Sequence, residues 1–183
     1  MGQPTAPNPA LLLVAVFSRH EAAIDWARRR AEETWGAVKF ESPRFIFDDT
    51  DYYQPTMGSE IQKRFFVFDN DFQQDSLAEV KLLTNRWEEE YAEEAGHDES
   101  RPLNLDPGYL CLGKLVLAST KDHAHRIYLS GGIYGEVTLH YRSKRWQPAG
   151  DWTFADYRRE DYHEFFTDCR AYLHEKIRKE AAR

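Results

Sequence analysis

With 183 residues, the chain is long enough to bury a core of its own without disulfide staples. Its net charge of −7 disfavours nonspecific attraction to nucleic acid, and no apolar run reaches membrane-spanning length. Aromatic residues make up 14% of the chain and supply much of the area a compact core would need.

Residues 1–10 (MGQPTAPNPA) read as a flexible tail and residues 11–180 as one α+β domain. The tail lacks basic residues, and LLLVAVF at 11–17 is too short for a signal core. A buried strand over 11–17, ended by Ser18 as a helix cap, fits better. Glu21 stands three residues after Ser18, which completes a capping box. The spacing of Ala23, Trp26, Ala27, Arg30 and Thr34 predicts a helix to about Trp35, stopped by Gly36. Residues 38–47 read as extended, with Pro43 marking an edge or a break. A loop over 48–58 precedes the short strand KRFFVF at 63–68. Asp75 or Ser76 then caps a helix through about Ala95, with Leu77, Val80, Leu83, Trp87 and Tyr91 on one face. The acidic run 87–99 leads into a polar segment over 96–102.

If residues 103–105 pair in the sheet, the order becomes strand–helix–strand twice. That order suits a ferredoxin-like antiparallel sheet with helices on one face. An extra helix over 110–118, a hairpin and a C-terminal helix over about 154–178 would extend it. In the helix reading, Asp106 is the N-cap and Pro107 the first helical residue. The same stretch nearly spells a phosphate-binding loop, G-YLCL-G-K at 108–114. Leu115 stands where such a loop needs Ser or Thr, and the bulky interior leaves no room for a phosphate cradle.

The hairpin turns at Ser130-Gly131-Gly132, and loop length decides its faces. A three-residue loop pairs Leu129 with Ile133 and Arg126 with Glu136. One face then holds Ile127, Leu129, Ile133, Val137 and Leu139. The other holds Arg126, Tyr128, Tyr134, Glu136, Thr138 and His140. Trp146 and Trp152 flank a Pro-Gly loop and are expected to pack beneath it. Cys111 and Cys169 read as buried free thiols, which together with the tail points to the cytoplasm.

Chemistry-bearing side chains concentrate in 101–142. Lys114, Lys121 and Arg126 could together neutralise a phosphate or carboxylate; an Arg126–Glu136 cross-strand pair with solvated lysines is the alternative. Asp48, Asp49 and Asp51 could hold magnesium, or could simply bond the local loop backbone. His123, His125 and His140 lack the spacing of a metal motif, and parity separates His140 from the other two.

TDYYQPTMG (50–58), KRFFVF, KLLTN (81–85), LNLDPGYL, KLVLASTKDHAHRIYL and GIYGEVTL occur in this order. Together they resemble the bacterial domain-of-unknown-function family 4416, over about residues 11–172. The resemblance implies a single-domain bacterial protein and groups the Asp51-Tyr52-Tyr53 loop with the central block. It implies no activity, cofactor or catalytic residue.

Two functions follow as expectations. The first is a site for a phosphorylated or nucleotide-like small molecule, with magnesium-assisted chemistry as an option. Asp51, Asp106 and Glu136 are then the candidate catalytic groups. Tyr52, Tyr53, Asn104, Lys121, Arg126, Tyr128, Tyr134 and Thr138 are the candidate ligand contacts. The second is a non-catalytic module that meets a protein partner through Tyr52, Tyr53, Tyr128 and Tyr134. Neither expectation involves a membrane or nucleic acid.

Overall fold

The computed structural model describes residues 2–182, apart from the side chain of Asp51. Strand β1 (Leu11–Ser18) lies at the centre, and all eight of its residues are buried. Its side chains alternate between two cores, as the two-residue period of a strand requires. Leu12, Val14 and Val16 enter one, and Leu11, Leu13, Ala15 and Phe17 enter the other. A continuous apolar run is what a strand covered on both faces needs.

Helix α1 (Glu21–Trp35) follows and buries Ala23, Ile24, Ala27 and Ala31 against the first core. It ends at Gly36, whose φ of 87° suits glycine. The expected Ser18 cap is not formed, because β1 continues through Ser18. His20 takes the cap position without a side-chain bond, and the Ser18 hydroxyl donates to the Pro102 carbonyl at 2.6 Å. Strands β2 (Val38–Glu41) and β3 (Phe45–Ile46) flank Pro43, the expected break. The 48–58 loop holds a 3-10 turn (Asp51–Tyr53) and the short helix α2 (Gln54–Met57). Strand β4 (Gln62–Phe68), helix α3 (Leu77–Ala95) and strand β5 (Asn104–Leu110) complete this part.

The fold is α+β, built on one antiparallel sheet of order β2-β4-β1-β5-β6-β8-β7, with β3 beside β4 and β9 beside β8. Here β6 is Lys114–Ser119, β7 Ile127–Ser130, β8 Ile133–Arg142 and β9 Arg145–Pro148. The β1–α1–β2 unit straddles β4, and the β4–α3–β5 unit straddles β1. Both helices pack on one face. Helix α4 (Glu160–Ala181) covers the other with Tyr162, Phe166, Cys169 and Leu173, so helices line both faces rather than one.

Four further expectations are corrected. The helix expected over 110–118 is a β5–β6 hairpin, closed by Cys111 N–H donating to the Lys114 carbonyl at 2.9 Å. A short apolar run has no helical period to tell it from a doubly buried strand. Pro107 is tolerated because β6 pairs only with residues 108–110 of β5. At Gly108 the strands approach so closely that a Cβ would lie 2.3 Å from the Val116 carbonyl oxygen.

The β7–β8 turn has two residues, Gly131 and Gly132, with φ of 58° and 80°. A bulge at Leu129 then restores the Tyr128–Tyr134 pairing that a three-residue loop would give. A second bulge at Thr138, between the Val116–Val137 and Leu115–Leu139 pairs, switches the faces of β8. Ile133 therefore joins the α1/α3 core and Leu139 the α4 core, while Ile127, 74% exposed, stands at the sheet edge with Leu129. The single apolar face does not exist. Trp146 is buried as expected, but Trp152 is exposed and lies over Gly150.

Candidate functional site

The site begins where β5 and β6 part. They pair only from residue 108 onward, so Leu105, which faces Val16 of β1 on one side, has no strand partner in β6 on the other. Helix α3 supplies substitutes. Glu88 accepts the Leu105 N–H at 2.7 Å, and Lys81 Nζ donates to the Leu105 carbonyl at 2.7 Å. Lys81, Thr84 and Glu88 recur at helical spacing on the buried face of α3 and form a polar stripe within an apolar one.

The stripe extends into a network. Lys81 also reaches Asp106 Oδ1 at 3.0 Å, and Asn104 Nδ2 donates to Asp106 Oδ2 at 3.0 Å. Arg101 grips Glu88 with Nε and Nη2 at 3.1 and 2.7 Å. Burial pushes the Asp106 carboxyl upward, but Lys81, Asn104 and Lys63 outweigh it and hold the group below its ordinary value. Burial wins at Glu88, which is raised in spite of Lys81 and Arg101.

The parted strands leave a cleft of about 490 Å³. Asn104 and Asp106 form one wall, Ser119, Lys121 and Arg126 the other, with Tyr52, Tyr53 and Phe154 at one end. Lys121 Nζ donates to the Tyr52 hydroxyl at 2.8 Å, and that bond lowers the tyrosine pKa. Arg126 is held from three sides. Its Nε donates to Glu136 at 2.7 Å, and its Nη1 donates to Ser119 Oγ at 2.6 Å and the Lys121 carbonyl at 3.1 Å. Glu136 also receives His125 Nε2 at 3.2 Å and the hydroxyls of Thr138 and Thr153, each at 3.3 Å. Both of its oxygens are engaged, so Glu136 positions Arg126.

A second cavity of about 300 Å³ adjoins the first through shared walls at Tyr52, Tyr53, Asp106, Lys121 and Phe154. Phe17, Phe47 and Tyr157 make it aromatic. Lys63, with 0% exposure, lies at its margin against Asp156, among the rings of Phe17, Phe47, Phe65, Tyr157 and Tyr162. Burial depresses the Lys63 pKa and Asp156 opposes the shift. The Tyr157 hydroxyl is buried and has no hydrogen-bond partner among the described residues, and burial raises its pKa.

The chain belongs to the family described as "Domain of unknown function (DUF4416)". The match spans residues 8–172 and so takes in every element of the site. No curated protein and no solved structure matches the chain.

Of the residues singled out in the sequence, Tyr52, Tyr53, Asn104, Asp106, Lys121 and Arg126 converge on the paired cavities. Glu136 lies one bond behind them. Thr138 is buried with it and lines neither cavity. Tyr128 and Tyr134 pack on each other, 5.4 Å between ring centroids, out on the β7–β8 hairpin. Tyr52 and Tyr53 form a separate pair at 5.0 Å. Lys114 stands opposite His140 at the far end of β6, away from Lys121 and Arg126. His123 lines the cleft, whereas His125 is spent on Glu136. The Asp51 side chain lies outside the described residues.

Lys63, Lys81, Glu88, Arg101 and Asp156 were not visible as site residues in the sequence. The α3 stripe carried a readable signal, charge at positions an apolar face would fill. Lys63 and Asp156 did not, because 93 residues separate them.

Proposed function

We propose that the chain binds a small anionic molecule with a planar, nucleotide-like part. The carrying observation is the pair of joined cavities, one aromatic and one polar with cationic groups, into which six sequence-singled residues converge. The planar part enters among Phe17, Phe47, Tyr53 and Phe154, where stacking and edge contacts favour a flat ring. The anionic part meets Lys121 and Arg126, the latter pre-oriented by Glu136. Asp106 serves as a positioning carboxylate, because Lys81 and Asn104 already engage both of its oxygens. Two free, buried cysteines fit a reducing, cytoplasmic setting for this binding.

A second reading rests on one feature of the β7 edge. Ile127, Tyr128 and Leu129 are exposed together there, which suits a protein partner.

A thermal-shift screen of nucleotides and sugar phosphates, run on wild type and on Lys121→Ala, separates the two. A ligand at 100 times its Kd stabilises by about 2.7 kcal/mol. The cavity reading expects at least one such compound, with a weaker shift in the variant. A panel without a hit, or a shift unchanged by Lys121→Ala, overturns it.

A further inference from the structure

Away from the paired cavities, His20, His97 and Glu99 come together from two distant segments. His20 stands between β1 and α1, and the other two lie in the turn that follows α3. One donor atom from each lies within 4.8 Å of the others, and His20 Nε2 is 3.0 Å from Glu99 Oε2. Two imidazoles and a carboxylate are the donors that zinc-class ions take, at about 2.0–2.2 Å, which sets neighbouring donors about 3.3 Å apart. The His20–Glu99 separation is near that spacing, and the third donor lies within 4.8 Å of both. The two imidazole rings lie side by side, 3.8 Å between centroids, so both rings are already at the same place.

The surroundings fit a ligated histidine. The Tyr91 hydroxyl, on a mostly buried side chain, lies 3.1 Å from His97 Nε2, which leaves Nδ1 as the nitrogen for an ion. Metal-bound histidines commonly hold a second partner of this kind, which fixes the ring. Arg19 Nη1 donates to Glu99 Oε1 at 3.0 Å and leaves Oε2 facing His20.

We infer that His20, His97 and Glu99 form a binding site for a zinc-class divalent ion, with water as the fourth ligand. None of the three lines either cavity described above, so the ion has a structural task. It clamps the turn over 96–100 to the start of α1. The next residues, Ser100 and Arg101, line the cleft, and the clamp therefore steadies one rim of it.

The test is a titration of the tag-free, metal-stripped chain with Co²⁺ alone, followed by displacement with Zn²⁺. The expected result is one equivalent bound, with the visible absorption of tetrahedral cobalt. His20→Ala and His97→Ala should each weaken binding more than Tyr91→Phe, for which a loss of about tenfold is expected. His123→Ala should bind like wild type, and circular dichroism should show every variant folded. No stoichiometric uptake, or uptake that survives both His20→Ala and His97→Ala, overturns the site.

Discussion

Two lysines are buried in this fold, and their surroundings differ in kind. Lys81 gives its protons to the Leu105 carbonyl and to Asp106, and Glu88 stands 3.9 Å away. It replaces a missing strand. Lys63 contacts one carboxylate, Asp156, with Asp106 and Asp49 acting at longer range, and otherwise meets aromatic faces beside a cavity where the Tyr157 hydroxyl has no hydrogen-bond partner among the described residues. The first lysine closes a gap in the backbone ladder. The second leaves polar capacity unspent in a low-dielectric space, which costs stability unless something binds there. The contrast supports the proposed site more than the charges of the hairpin do.

Substitutions test the contrast in order of expected effect. Lys63→Met strands Asp156 among aromatic rings and should cost about 3–5 kcal/mol in urea unfolding. Adding Asp156→Leu should recover most of that loss. A cost for the single change of less than about 1 kcal/mol would mean that the pair is not a buried ion pair at all. Lys81→Met leaves the Leu105 carbonyl and Asp106 short of donors and should cost about 2–3 kcal/mol, with no gain from the ligands that stabilise wild type.

The Lys63 shift carries a pH dependence. The unfolded lysine keeps its proton up to its ordinary value of 10.5, while the buried one releases it earlier. Between the depressed folded value and 10.5 the unfolded state holds more protons, so this group makes stability rise with pH. Thermal melts over a pH series ending at 10.5 should show the contribution in wild type and lack it in Lys63→Met. The smallest stability effect belongs to Lys121→Ala, whose partner Tyr52 is exposed. Unfolding should change by no more than about 0.5 kcal/mol.

Legibility followed the physics of each element. The 11–17 run, the Gly36 stop, the Pro43 break and α3 through Ala95 were readable because period and punctuation are local. Residues 110–118 resemble a helix in sequence because a strand covered on both faces leaves no alternation. The bulges at Leu129 and Thr138 leave no mark in the sequence, because an extra residue in one strand shows only against its partner. Lys121 and Arg126 could be tied to one place because both lie just beyond β6. Lys63 looked like an ordinary strand residue, and nothing near it in sequence announced Asp156.

The central claim is that ligand enters the joined cavities rather than docking on the β7 edge. Backbone amide NMR, with a stabilising nucleotide or sugar phosphate titrated into the labelled chain, tests it most directly. The expected result is a set of shifts confined to residues 49–53, 104–106, 119–126 and 154–157. Shifts centred on Ile127 to Tyr134, with the cavity residues unmoved, would contradict it.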